Sequence, residues 1–200
     1  EAEAIYRDTL QEMPGSTSVV LALSNLKAIQ GDQENALAAI EEGLGANPEN
    51  NALLFAKAGV LERQADYEGA IAIYEKLYDA NSASVVVANN LASMITTYRD
   101  SREDLERAFA VARRLRNTEV PAFQDTYGWI AARLGNFGEA VEYLESAAAA
   151  LPSEPLVHFH LAETYAGLGR KADAIEVYQT VLDLQVDGTN PNYLERVATE

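Results

Sequence analysis

One alanine recurs along this chain at intervals close to 34 residues. Six copies keep the phase, at Ala2, Ala36, Ala70, Ala108, Ala140 and Ala174. The successive intervals are 34, 34, 38, 32 and 34 residues. A repeat unit of this size cannot bury its apolar face alone and must stack against its neighbours. The period therefore predicts an array of similar supersecondary units along the whole chain.

Each period contains residues that mark the ends of two helices. Turn signals stand before the alanine, at Gly31-Asp32, Ala65-Asp66, Gly135-Asn136 and Gly169-Arg170. Twelve residues after the alanine, three copies have a proline, at Pro14, Pro48 and Pro152. Glycine adopts the left-handed backbone that closes a helix, and proline cannot continue one. Glycine and proline number only 12 and 6, which favours helix elsewhere. Each unit is predicted to be helix, short turn, helix and loop.

This pattern resembles the tetratricopeptide repeat (TPR) family, in which W-x2-L-G-x2-Y is followed by A-x3-F and then by P. Residues 121–152 match it at Tyr127-Gly128, Gly135, Phe137, Ala140, Leu144, Ala147 and Pro152. Residues 155–186 match at Leu161-Ala162, Tyr165, Gly169, Ala174 and Tyr178. The resemblance implies an all-α fold, a TPR α-solenoid whose antiparallel helix pairs stack into a right-handed superhelix.

Small residues are expected where the two helices of a unit touch. On the first helices these are Ala58, Ala92, Gly128 and Ala162, and on the second helices Ala36, Ala70 and Ala140. Larger apolar neighbours then fill the remaining space at interior density.

The repeat divides the chain into a single TPR array. We expect an orphan second helix of a truncated repeat at 1–14, full repeats at 17–48, 51–82, 85–120, 121–152 and 155–186, and a C-terminal cap or the start of a further repeat at 187–200. The helix pairs are expected near 17–46, 51–80, 84–116, 121–150 and 155–184, with four extra loop residues within 96–104. Because the chain begins at Glu1 and its first helix has no partner, we expect a mature or excised segment that has lost a preceding repeat.

Composition argues against several classes of function. The net charge of −16 repels phosphate backbones and anionic lipid, so nucleic acid is not an expected partner. No apolar run approaches the ~20 residues that span a bilayer, so direct membrane insertion is not expected. The absence of cysteine excludes disulfides and thiolate metal sites. A local arginine cluster is interpreted as a solvated helix face in preference to an anion site; it comprises Arg107, Arg113, Arg114 and Arg116.

No residue constellation predicts catalysis, a metal or a cofactor. His158 and His160 are two residues apart, which puts them on different sides of a helix. The phrase GLGRKA at 167–172 imitates a dinucleotide-binding loop but follows a predicted helix, where such a loop follows a strand. The many carboxylates fall on second helices, which face solvent in a TPR array. We therefore predict that the chain is not an enzyme.

The resemblance places a concave groove on the first helices, where proteins of this family bind a peptide or another protein. Carried onto this chain, the candidate partner-binding residues are Leu21, Asn25, Phe55, Val86, Asn89, Asp125, Trp129, Arg133, Phe159 and Glu163. No lysine is among them, so the terminal-carboxylate clamp of the chaperone-binding TPR subgroup is not expected. Aromatic anchors among polar groups are typical of a protein-binding hot spot. Alternatively the groove is covered by neighbouring turns, by missing repeats or by another copy of the chain.

A narrower likeness concerns the phrases ANNLASMI, QDTYGWIAARLGNFGEA and HFHLAETYAGLGRKADAIEVY. They resemble bacterial TPR proteins of exopolysaccharide and cell-envelope export systems. We predict a non-catalytic scaffold in such an assembly, in the bacterial periplasm or envelope in preference to the cytoplasm. Two alternatives stay open. One is a targeting or substrate-recruiting TPR module of a larger enzyme such as a glycosyltransferase. The other is a self-assembling scaffold, a homo-oligomer joined through the terminal helices.

Overall fold

The computed structural model describes residues 1–184, all of whose regular elements are helical. The α-helices are α1 (Ala2–Glu12), α2 (Thr17–Ile29), α3 (Gln33–Ala46), α4 (Asn51–Arg63), α5 (Tyr67–Ala80), α6 (Val85–Tyr98), α7 (Arg102–Ala112), α8 (Pro121–Arg133), α9 (Phe137–Ala150), α10 (Pro155–Gly167) and α11 (Lys171–Leu184). A 3-10 turn, Arg113–Leu115, follows α7. The prediction of an all-α fold built from TPR helix pairs is confirmed.

The described part of the chain divides into two compact units, Glu1–Met94 and a second that begins at Ile95, with the boundary inside α6. In the first unit α2 packs on α3, α3 on α4 and α4 on α5, while α1 packs on α2. In the second unit α8 packs on α9, α9 on α10 and α10 on α11. First helices also touch the next first helix, α2 with α4 and α8 with α10. Each unit is thus a stack of antiparallel pairs in chain order.

The turns inside the helix pairs share one hydrogen-bond pattern. After α8, Gly135 has a φ of +84°, its N–H donates to the carbonyl of Ala132 at 2.8 Å, and the next N–H reaches Ala131 at 2.9 Å. Such a left-handed residue satisfies the last carbonyls of the helix, which would otherwise be unpaired. The same pair of bonds closes the turns at Gly31, Ala65 and Gly169, where φ lies between +61° and +78°. The four predicted turns are confirmed, including Gly169 in the phrase GLGRKA.

The small residues lie at the tightest contacts, as predicted. A Cβ atom on Gly128 would stand 2.7 Å from Cγ of Leu144 and 3.2 Å from the carbonyl oxygen of Ala140. The helices α8 and α9 therefore approach until backbone meets side chain. The alanines predicted at such contacts are fully buried: Ala36, Ala58, Ala70, Ala92, Ala140 and Ala162.

Two details differ from the sequence expectations. The four extra residues expected in the loop within 96–104 are largely taken up by helix, because α6 continues to Tyr98 and α7 begins at Arg102, where Ser101 caps it by accepting the N–H of Asp104 at 3.0 Å. The second helix of that pair is also shorter than expected, since it ends at Ala112 and turns into the 3-10 segment. The predicted C-terminal cap or further repeat, 187–200, lies outside the described residues.

Replacing Gly128 with Ala tests the close contact. The added methyl group collides with Leu144 and the Ala140 carbonyl, so we expect the free energy of unfolding to fall by about 1–3 kcal/mol, even though alanine is the better helix former. Urea unfolding followed by circular dichroism measures this. The matched control is Gly59→Ala in the middle of α4, where the nearest atom is the flexible end of Arg63 at 3.7 Å. There we expect the free energy of unfolding to rise by up to about 1 kcal/mol. An equal fall in both variants would contradict the close contact at Gly128.

Candidate functional site

The second unit contains an open pocket of about 330 Å³ between α8, α9 and α10. It is lined by Trp129, Ala132, Arg133, Phe137, Glu163, Ala166 and Gly167. Trp129 and Arg133 are four residues apart on α8, and so are Glu163 and Gly167 on α10, which brings each pair onto one face of its helix. The structure thus unites three of the predicted groove residues, Trp129, Arg133 and Glu163, in one pocket.

Phe137 forms a wall that the sequence did not assign to the site. From the sequence it was identified only as a match to the repeat pattern, yet its ring lies against Gly167 of the following pair. A Cβ atom at position 167 would overlap that ring, so glycine is needed for this packing. Ala132, Ala166 and Gly167 also line the pocket, and these small residues leave its space unfilled.

Both charged residues of the pocket are held by other groups of the second unit. The Arg133 guanidinium donates to the carbonyl oxygen of Thr96 at 3.0 Å and to Asp100 at 2.8 Å. Its central carbon lies 5.8 Å from the centre of the Trp129 ring, within cation–π range. Glu163 accepts the hydroxyl of Tyr178 at 2.6 Å. The pocket is therefore lined by two charged residues that are bonded to their neighbours, together with apolar groups.

Asp125 has a different place from the one predicted for it. Its carboxylate lies 2.8 Å from Nδ1 of His160, and its side chain is largely buried. The His160 ring in turn stacks on Trp129, with ring centres 4.3 Å apart and planes 13° from parallel. The Asp125 side chain is therefore linked to Trp129 through the His160 ring, and it is not among the residues that line the pocket. No sequence pattern indicated this partner, since His160 and Asp125 are 35 residues apart.

Phe159 corrects the groove prediction. It was expected to be displayed, but it is only 3% exposed and packs with the fully buried Val181 of α11. The rings of Trp129 and Tyr178 complete its surroundings at 6.1 and 6.4 Å. Its face of α10 is covered by α11, so Phe159 is a core residue in this structure.

The remaining candidates belong to the first unit. Leu21 packs on that unit's core, Asn25 is exposed, and Val86 is 47% exposed. Phe55 is half-buried, with its ring edge-on to Tyr74 at 5.6 Å. Asn89 lines a small cleft of about 110 Å³ with Glu62, Asn90, Ser93 and Met94.

A polar chain connects Asn89 to Tyr74, whose ring packs against Phe55. The Asn89 amide donates to Asn90 at 3.3 Å, and Asn90 donates to the Tyr74 hydroxyl at 3.1 Å. The side-chain oxygen of Asn89 is buried without a hydrogen-bond partner. This cleft is smaller and more polar than the Trp129 pocket.

The tetratricopeptide repeat pattern matches residues 21–85 and 128–187, more than half of the chain. The chain belongs to the tetratricopeptide repeat family. TPR arrays present extended surfaces on which other proteins bind, so this is a fold of protein-interaction scaffolds.

Several relatives carry the same repeats. A TPR repeat-containing protein of Pseudomonas aeruginosa is 31% identical over 146 residues, which cover 71% of this chain but only 23% of that protein. The crystal structure of YrrB, described as a TPR protein with an unusual peptide-binding site, has a TM-score of 0.71 at 19% identity and covers 92% of this chain and 94% of its own. That of PilW, described as a widely conserved type IV pilus biogenesis factor, has a TM-score of 0.70 at 19% identity, with 86% and 79% covered. At these identities the structures show a shared fold alone.

Several carboxylates of the TPR pairs serve as hydrogen-bond acceptors between helices. Glu139 accepts the Tyr127 hydroxyl at 2.8 Å and Arg116 at 3.1 Å, while Glu145 accepts the Tyr165 hydroxyl at 2.7 Å. In residues 1–184 no three histidine or acidic side chains come together as metal ligands. No described helix has the length and apolarity needed to cross a membrane.

These tyrosines predict a loss of stability in alkaline solution. Burial, followed by the hydrogen bond to a carboxylate, raises the pKa of Tyr127 and of Tyr165 to about 12. An unfolded tyrosine loses its proton near pH 10. The stabilisation is therefore complete below about pH 10 and is lost as the pH rises towards about 12. Unfolding experiments across this range should show the free energy of unfolding falling. The fall should be smaller in Tyr127→Phe and in Tyr165→Phe, and an unchanged slope in both would contradict the assignment.

Proposed function

We propose that this TPR chain is a non-catalytic scaffold that binds a segment of another protein by accepting one large apolar side chain in the Trp129 pocket. The observation that carries the proposal is the half-buried indole, which forms an open wall of the pocket opposite small residues. Tryptophan in a partly desolvated pocket is the side chain that most often dominates protein-binding energy. A volume of about 330 Å³ lies at the lower end of the range for binding pockets and suits one side chain.

The charges of the pocket favour an uncharged guest. Arg133 already supplies a cation beside the indole, so a second cation there would be repelled. Arg133 and Glu163 are both bonded within the unit, and a charged guest would have to compete with those bonds. An aromatic or large aliphatic side chain does not compete with these bonds, and it gains contact with Trp129 and Phe137.

Residues that flank this apolar side chain in the partner are expected to be basic. The chain carries a net charge of −16, which attracts a positively charged segment and raises its rate of association. The peptide-binding site named for YrrB supports the general mode of binding by analogy of fold.

We further propose that the assembly belongs to the bacterial cell envelope. The likeness of three sequence phrases to exopolysaccharide and envelope export proteins supports this, as does the shared fold with a pilus biogenesis factor. Fractionation of cells that make the full-length protein tests the location, and recovery in the cytosol alone would contradict it.

Two other functions compete with this one. The chain spans 23% of the P. aeruginosa relative, and the first alternative is a recruiting module within a larger enzyme. A catalytic domain in the full-length sequence would favour that function. Ile5 on α1 and Met13 directly after it are exposed and favour self-assembly instead. Light scattering tests self-assembly by measuring the molar mass across concentrations, because a chain that stays monomeric at high concentration does not self-assemble.

A displayed library of random peptides tests the binding proposal directly. Peptides selected on the wild-type chain should share a large apolar residue with basic neighbours. Trp129→Ala should weaken the best of them by about 30-fold or more, the usual loss at a hot spot. Ile29→Ala is the matched control, because Ile29 is 85% exposed in the first unit and lies outside the pocket. Equal affinity for Trp129→Ala and wild type, with unchanged helicity, would refute the proposal.

A further inference from the structure

The indole of Trp129 is covered on one face by a histidine from the next TPR repeat. Trp129 belongs to α8 and His160 to α10. Their rings lie 4.3 Å apart and nearly parallel, and His160 is only 7% exposed. Stacked rings at this separation attract each other beyond the area they bury. The contact therefore fixes the plane of the indole that forms the pocket wall.

The orientation of His160 is itself fixed by Asp125. A carboxylate can only accept hydrogen bonds, so Nδ1 of His160 donates across the 2.8 Å separation. The side chains are 9% and 14% exposed, and a hydrogen bond to a charged group is strong in such surroundings. Asp125 is one helical turn before Trp129, so both partners of His160 lie on one face of α8. One imidazole thus joins the pocket wall to a buried acceptor on the same helix.

The surroundings leave the indole little freedom. Phe159 lies 6.1 Å from both the Trp129 and the His160 rings. Arg133 lies over the Trp129 ring at 5.8 Å. Glu163 and Tyr178 bond to each other, and Tyr178 packs against Phe159. Trp129 is held from several sides, and of these neighbours His160 is the one stacked parallel on the indole.

We propose that His160, anchored by Asp125, is the positioning residue of the binding pocket: it holds the Trp129 indole in its binding orientation before a partner arrives. This inference rests on the proposed function, that the pocket binds an apolar side chain. A preformed wall spares the partner the entropy cost of ordering the indole, and affinity rises accordingly.

The single tryptophan of the chain makes the proposal measurable without any partner. Acrylamide, a neutral collisional quencher, reports how much of the indole is open to solvent. His160→Asn keeps a donor for Asp125 but removes the ring. Here the quenching constant should rise about twofold, since one of the two indole faces is uncovered. His160→Phe combined with Asp125→Asn keeps a stacked ring without a lone buried charge, and should restore the wild-type value.

Binding gives the second measurement. The peptide selected on the wild-type chain should bind His160→Asn about 3- to 10-fold more weakly, and the ring-retaining double variant should recover most of that loss. The matched control is His158→Asn. In the wild-type chain Nε2 of His158 lies 3.1 Å from the Pro152 carbonyl oxygen, away from this stack. This variant should leave both quenching and affinity unchanged.

The outcomes separate this proposal from the function on which it rests. A wild-type quenching constant in a helical His160→Asn chain would overturn the positioning role, and so would failure of the ring-retaining variant to restore it. If His160→Asn loses its helicity, Asp125→Ala decides instead, because it leaves the ring but removes its anchor and should raise quenching in the same direction. If no selected peptide depends on Trp129, the binding function fails while the quenching result still stands.

Discussion

The close approach of the two helices in each TPR unit is the constraint on which the rest of this structure depends. Gly128 shows it most clearly, because its Cα faces Leu144 and the backbone of Ala140 with no space for a methyl group. Where the contact tolerates a methyl, alanine takes the same place and is fully buried, as at Ala58 and Ala162. Short distances between helices bring larger apolar side chains of adjacent pairs into contact, and these form the continuous core of each unit.

The same packing shapes the Trp129 pocket. Once α8 and α9 form a tight pair, α10 packs against both, and the first-helix faces of α8 and α10 lie side by side. Ala132, Ala166 and Gly167 are small, so the space between these faces is left partly unfilled. Trp129 and Phe137 then border an apolar opening in a strongly acidic protein. The pocket is thus a consequence of incomplete packing at one junction between repeats.

The Trp129 pocket also shows how charge is managed beside apolar surface. Arg133 is bonded to Thr96 and Asp100, Glu163 to Tyr178, and His160 to Asp125. Each bond compensates for the desolvation of a polar group near the indole. These bonds hold the polar groups at the sides of the pocket and behind it.

Much of the fold could be predicted from the sequence, because each helix and turn depends on residues close together in the chain. The 34-residue period, the turn signals and the recurring small residues predicted the helix pairs and the turns within them, although α7 ends at Ala112, four residues before the expected bound of 116. The shared face of Trp129 and Arg133 was also predictable, since four residues make one helical turn. The tertiary structure alone decided which side chains the neighbouring repeats would cover. Phe159 is buried because α11 lies over it, Asp125 bonds a histidine of the next repeat, and Phe137 packs against Gly167 of the next repeat and lines the pocket. A local pattern determines which face of a helix is apolar, but only packing determines how much of that face remains open to a partner.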